Sequence, residues 1–422
     1  MSGEARVRSL GIMMPLLLAV ATIASTATKI RMPGVPVGIG EVLLLACVVT
    51  SALIRAFGGG FNWKRGAALQ IGVAFLLLVT CALVAGAMLA QVTGIADLYD
   101  TRHEAQAWVF VIALLYWFLL ESGLPEDVDR FLRAFAVFGT LAVVMLLTSA
   151  VLSRALIGSD WFWYFGLRFA GWSTNPNQLA LLLAPLPFLA VHFKSQTREK
   201  GWRVLWTIGI SLTFVAGVAT QSDALWASWI ACGMVALLWR WGGATFGRYR
   251  TVSSMVSASI VVPLVLVSAM VVSAPLVQRF LDSVVEGRVN EGGQAGIRVS
   301  LWRNGLSAAL QSPFFGWGPG SHSGVAQSFQ GVESHNTYID LATQAGLPAS
   351  AALLTIVGLS VVRQLRRGTL QIGLAVAATA SFAGFHNCLR HPVFWFMVFG
   401  AIAAAGGRVR GRARRTVEGQ VE

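Results

Sequence analysis

The sequence predicts an all-α polytopic membrane protein of about twelve transmembrane helices. Three observations carry that prediction. Of 422 residues, 55% are hydrophobic and only 12% charged, against roughly 25% charged in soluble domains. Mean hydropathy is +0.66. Apolar runs near the about 20 residues that a bilayer demands recur along the whole chain. One helical bundle can use all of 1–422, so length alone implies no soluble domains.

The spans read, in order, at about 9–28, 37–56, 67–90, 105–121, 131–152, 176–193, 203–221, 223–241, 252–274, 336–362, 370–388 and 391–407. The first follows a short basic start and is read as a helix that stays in the protein, not a cleaved signal. A loop from Arg154 to Asn175, rich in Trp and Phe, separates spans five and six. The sixth opens at Asn175-Pro176, because Asn-Pro breaks one helix and starts the next well. Spans seven and eight meet at the tight link Thr220-Gln221-Ser222-Asp223. After span nine the chain leaves the membrane pattern. From Ala274 to His335 it becomes Gly-, Arg- and His-rich, a loop of 275–335 that ends where span ten begins. A basic tail, 408–422, follows span twelve.

The net charge of +13 raises nucleic acid as a partner, and its distribution argues against it. Most of the 32 Lys and Arg fall in one alternate set of connections, from Arg6 and Arg8 to the tail arginines. That is the positive-inside signature, which places both termini in the cytoplasm. The minority on the far side comprises Lys29, Arg31, Arg102, Arg154, Arg168, Arg279, Arg288, Arg298, Arg303 and Arg390. Positive charge is disfavoured there, so several of these have work to do. The four cysteines have no metal or redox spacing and read as buried thiols.

Four stretches can carry chemistry. The first is Arg168-Phe-Ala-Gly-Trp172-Ser-Thr-Asn175-Pro176-Asn177-Gln178. It reads as a turn and helix cap, or as an anion contact at Arg168 beside amides for a sugar or phosphate. The second is the 220–223 link, where Asp223 either sits in interfacial water or faces a ligand. The third runs from Arg298 through Trp302 and Arg303 to Gly316-Trp317-Gly318-Pro319-Gly320-Ser321-His322. Residues near 298–311 can form an amphipathic helix with Ile297, Leu301 and Leu306 on or near one face. The glycines let the backbone pass close to something, and without a following helix or a Lys they are no nucleotide loop. The fourth is His335, at the start of span ten, with Tyr338 just inside it. A His there is either a hydrogen-bonded structural residue or a base for a sugar hydroxyl. Arg can neutralise a pyrophosphate in bidentate fashion. His386 and His391, flanking Arg390, either reach the same site or form a polar turn. The aromatic cluster 161–165 reads as interface anchors or as a surface for sugar rings or a lipid tail. The histidines show no metal spacing, and no cofactor is expected.

The order RFAGWSTNPNQLAL, then SLW with SPFFGWGPGSHS, then SHNTYIDLATQAG resembles the O-antigen ligase and O-antigen polymerase superfamily, over roughly 165–390. The resemblance implies a C-type glycosyltransferase-like fold whose large periplasmic loop caps the active site. It implies a bacterial inner-membrane enzyme that takes a glycan from undecaprenyl pyrophosphate. His335 would be the general base and Arg298 a pyrophosphate contact, with no metal and no nucleotide sugar. Members often carry a Ser-Arg pair after the seventh span, where this chain has Ser222-Asp223. Arg168, Arg288 or Arg390 would then replace that Arg, or Asp223 would pair with one of them. Asn175, Asn177, Asp223, Trp302, His322 and Tyr338 are candidates for glycan or lipid contact. The expected product is a polymerised polysaccharide, O-antigen or exopolysaccharide, with a second lipid-linked repeat as acceptor. In the ligase alternative, the finished glycan moves onto lipid A-core. A lipid-linked glycan transporter is a more distant alternative, disfavoured by the absence of an internal repeat.

Overall fold

The computed structural model describes residues 3–31, 38–57, 67–95, 98–121, 125–245, 294–322 and 332–404. The expected ninth span, Arg288, the flanks 275–293 and 323–331 of the loop, and the tail 408–422 lie outside them. The helices are α1 (Gly3–Ala24), α2 (Ile39–Phe57), α3 (Ala67–Val92), α4 (Leu98–Glu121) and α5 (Pro125–Ile157). A hairpin of β1 (Trp163–Tyr164) and β2 (Arg168–Phe169) follows. Then come α6 (Pro176–Leu183), α7 (Leu186–Gln196), α8 (Lys200–Thr220), α9 (Asp223–Thr245) and α10 (Gln294–Gln311). The described chain closes with α11 (Thr337–Arg366), α12 (Leu370–Ala383) and α13 (Pro392–Ala404).

Six segments are long and apolar enough to cross a membrane: 68–92, 101–121, 126–157, 176–196, 200–220 and 337–366. Five shorter apolar helices, in α1, α2, α9, α12 and α13, occupy further expected positions. The protein is a polytopic helical membrane protein. α6 and α7 share one span, interrupted where Pro185 has no N–H for the ladder. The carbonyl of Ala184, next to the break, accepts from Trp229 Nε1 at 3.2 Å.

The centre of the bundle is α13. Every residue from Pro392 to Ala403 is buried, including Phe394, Trp395, Phe396 and Phe399. A helix apolar all round has no lipid-facing or water-facing side, so it is enclosed by others. α3, α4, α5, α11 and α12 pack round it. In lipid, apolar burial displaces no water, so this docking rests on shape and dispersion. The rings bear that out: Phe118 stacks on Phe396 at 4.4 Å, and Phe131 meets Phe396 edge-on at 5.9 Å.

α11 is broken, and the polar loop repairs it. Gly346 has φ 83° inside α11 and Pro348 follows it, so the carbonyls of Thr343 and Gln344 lose their helical donors. Trp317 N donates to Thr343 O at 2.8 Å and Gly318 N to Gln344 O at 3.0 Å. Leu347 N in turn donates to Pro313 O at 2.8 Å. Irregular backbone at membrane depth is tolerated where protein re-satisfies it in this way. The glycines of Gly316-Trp317-Gly318 do pass close to something, and it is backbone. A Cβ at Gly318 would lie 2.5 Å from Ala87 N of α3, and one at Gly316 would lie 2.5 Å from Gln344 C. Residues 312–320 are therefore wedged between α3 and α11.

Three readings need correction. Leu306 does not share the buried face of α10. It is 48% exposed while Leu301 is fully buried, because five positions carry it roughly 140° round the helix. The buried stripe is Leu301, Gly305, Ala308 and Ser312; the side chain of Ile297 lies outside the described residues. Cys81 is exposed on α3, whereas Cys47, Cys232 and Cys388 are buried. Spans eleven and twelve are not separated by a two-residue link. The helices stop at Ala383 and resume at Pro392, because residues 384–388 supply backbone partners to the start of α11.

Candidate functional site

The run Ser334-His335-Asn336-Thr337 opens α11 and is held from every side. Asn336 is the N-cap, its Oδ1 accepting from Tyr338 N at 3.0 Å and Ile339 N at 3.2 Å. Its Nδ2 donates to Gly384 O at 2.8 Å. Thr337 Oγ1 donates to His386 O at 2.7 Å and accepts from Cys388 N at 2.8 Å. Ser334 N donates to Asp340 Oδ1 at 2.9 Å. This lattice fixes His335 at φ 54°, a left-handed backbone that a side chain adopts only where the surroundings over-determine it.

The His335 ring is half-buried, and its Nδ1 has no hydrogen-bond partner. It lies parallel to the His386 ring, with centroids 5.9 Å apart and planes 8° from parallel. Burial pulls its pKa below the ordinary histidine value; Glu333 pushes it up and Arg298 pushes it down. His335 thus favours the neutral imidazole a general base requires, and its buried Nδ1 has no hydrogen-bond partner. His386, in the α12–α13 link, is driven down to about 3, chiefly by burial. His391, at the end of that link, is driven down to about 4, again chiefly by burial. Both are neutral neighbours.

Arg298 is half-buried on α10 and acts electrostatically on both His335 and His386. Trp302, one turn on, sets its ring 6.1 Å from Phe385 beside that link, and its Nε1 has no hydrogen-bond partner. The geometry brings His335, Arg298, Trp302, His386 and His391 to one rim. His322 is buried, its Nδ1 4.0 Å from Asp340 Oδ1. Tyr338 points inward, its hydroxyl donating to Ala380 O at 2.9 Å.

Other candidates have defined partners at the same end of the bundle. Asn175 caps α6, its Oδ1 accepting from Asn177 N at 2.9 Å. Asn177 Oδ1 accepts from Ser222 Oγ at 2.8 Å. Arg168 donates from Nε to Thr220 O at 3.0 Å and from Nη2 to Gln221 O at 3.1 Å. It therefore reaches the 220–223 link through backbone carbonyls, while Asp223 is exposed. Among the described residues Asp223 forms no ion pair with Arg168 or Arg390. Arg390 pairs with Glu104 and Glu333. Sequence reasoning gave those two acids no role. The available signal was Glu104 itself, a carboxylate at the start of an apolar helix, where charge is costly and demands a partner. Among the described residues, no three His, Cys, Asp or Glu side chains converge as a metal centre would need.

Residues 208–354 match the family model described as Wzy_C, O-Antigen ligase. This segment belongs to the O-antigen ligase/polymerase superfamily. The match runs from α8 through the broken α11 and takes in Ser222, Arg298 and His335. No curated protein matches the chain. The matched segment holds Arg298, Trp302 and His335, while His386, His391, Arg168, Glu104 and Arg390 lie outside it.

Proposed function

We propose that this protein is a metal-independent, inverting glycosyltransferase that moves a glycan from undecaprenyl pyrophosphate to an acceptor sugar hydroxyl, polymerising polysaccharide repeats. The observation that carries the reading is His335: an imidazole biased to its neutral form, with a buried Nδ1 that has no hydrogen-bond partner, held at the start of α11 within electrostatic reach of Arg298. His335 accepts the acceptor's hydroxyl proton as that oxygen attacks C1, and the C1–O bond to pyrophosphate breaks. A single in-line displacement inverts the anomeric centre. Arg298 stabilises the charge that develops on the leaving pyrophosphate, in a site sheltered from water. Arg168 stands at the 220–223 link, where the resemblance leads one to expect an Arg at the position of Asp223, and supplies the second positive charge. Trp302, His322, Asn175, Asn177, Asp223 and Tyr338 shape the pocket for glycan or lipid.

In this reading the fold is C-type glycosyltransferase-like with twelve spans. The protein lies in a bacterial inner membrane, with both termini cytoplasmic, the rim periplasmic, and the loop 275–335 capping it. The description of the matching family favours a second reading, transfer of a finished glycan to lipid A-core.

The test is a gel of lipopolysaccharide, with extracted undecaprenyl-linked glycans, from a strain lacking the gene and one restored with His335→Ala. Core bearing a single repeat is expected, and the variant should lose at least about 100-fold of activity. Bare core with long glycan stranded on undecaprenyl would select the ligase reading. Normal product from His335→Ala at normal protein level would overturn the base assignment.

A further inference from the structure

Arg390 ties together three parts of the chain that are far apart in sequence. Its Nε donates to Glu104 Oε2 at 3.0 Å, and its Nη2 pairs with Glu104 Oε1. The same Nη2 lies 3.1 Å from Glu333 Oε1. Glu104 belongs to α4, Arg390 to the α12–α13 link, and Glu333 to the segment that enters α11. The Glu104 side chain is only 6% exposed, so its charge depends on the guanidinium that faces it. That buried end fixes the plane of the Arg390 fork, and the fork fixes Glu333. One guanidinium between two carboxylates leaves a net negative charge, and its outer end lies two residues from His335.

We propose that Glu333 is a positioning residue for His335, aimed by Arg390 on its Glu104 anchor, and that it stabilises the imidazolium formed during transfer. The inference rests on the reading of His335 as the base. In the step itself, the hydroxyl proton passes to a ring nitrogen of His335 and the acceptor oxygen bonds to C1. The electron pair of the broken C1–O bond leaves with the pyrophosphate, and the new positive charge on the ring meets Glu333. Besides Glu333, the groups that act on or lie against His335 are Arg298 from α10 and the neutral His386 of the α12–α13 link, while His391 and Asp340, the latter beside His322, lie in the field of Glu333 and Arg390. Glu333 and Arg298 act on the ring in opposite senses. Arg390, balanced by its two carboxylates, serves here as a strap, and Arg298 keeps the pyrophosphate.

The test uses full-length protein in detergent or nanodiscs and has two readouts. Diethyl pyrocarbonate modifies neutral imidazole, so its rate on the His335 peptide, followed by mass spectrometry against pH, reports the titration of His335 without any turnover. Glu333→Gln removes an influence that favours protonation, so the midpoint should move to lower pH by about half a unit. Glu104→Gln should move it the same way by less, because Arg390 then bears wholly on Glu333. Glu333→Asp keeps the charge and should return the midpoint at least part-way. With lipid-linked donor isolated from the host strain, Glu333→Gln should lower kcat about ten-fold at unchanged KM. Midpoints unchanged in both Glu333→Gln and Glu104→Gln overturn the proposal, whatever happens to activity. Full activity of His335→Ala would instead overturn the base reading and leave the midpoint result standing.

Discussion

Two arginines at the same end of the bundle answer to opposite partners. Arg390 is gripped by the carboxylates of Glu104 and Glu333. Arg168 donates to the carbonyls of Thr220 and Gln221, and among the described residues no carboxylate pairs with it. Both are fixed in place, but only one still offers a net positive charge. In the proposed reaction a guanidinium balanced by acids has less charge to offer a pyrophosphate than one held by neutral carbonyls. The proposal therefore gives the pyrophosphate to Arg168 and not to Arg390 on the strength of their other partners, not of position alone.

That contrast can be broken experimentally. The largest effect should come from Arg168→Ala, with a fall in kcat/KM of about 10- to 100-fold. Arg168→Lys should recover only part, since a point charge cannot reproduce the fork. Equal activity for the Ala and Lys variants would remove Arg168 from the substrate's path.

The next effect is acid sensitivity on the Arg390 side. His386, buried, and His391, half-buried, are neutral there, with pKa values driven down to about 3 and about 4. Unfolded, each would titrate at the ordinary histidine value of about 6.5. Between about 6.5 and about 4 the unfolded chain binds more protons than the folded one, so stability must fall as pH drops through that window. Thermal melts at stepped pH should show this, and His391→Gln should flatten the slope. An unchanged slope would mean that water reaches the link.

The smallest effect belongs to the Arg168 side. Ser222→Ala leaves Asn177 Oδ1 without its 2.8 Å donor and should cost about 1–2 kcal/mol. Melting of the purified variant checks it.

The apolar runs made most helices legible, because a bilayer demands length and leaves little to choose. Asn175-Pro176 announced a cap, and the cap is there. The glycines 316–320 announced a close approach, but not to what. Gly346 and Pro348 open α11 from within, and no periodicity in the loop reveals that its N–H groups will close the gap. Leu306 misled for a related reason, since α10 packs through small residues, Gly305 and Ala308, that a search for large apolar side chains passes over. At the site, His335 and Arg298 stand out as rare polar types in an apolar chain. Glu104 meets Arg390 across 286 positions of chain, a pairing that only the folded bundle displays.

α13 has one more consequence, and it concerns time. It is the last described helix in the chain, yet it occupies the middle of the bundle. The ribosome delivers α1 to α12 before their shared centre exists. The earlier helices must wait in the bilayer as a loose ring, with Phe118, Phe131 and Phe75 facing lipid or one another until Phe394 to Phe399 arrive. Assembly therefore closes from the outside inward, and its final act is the insertion of the axle.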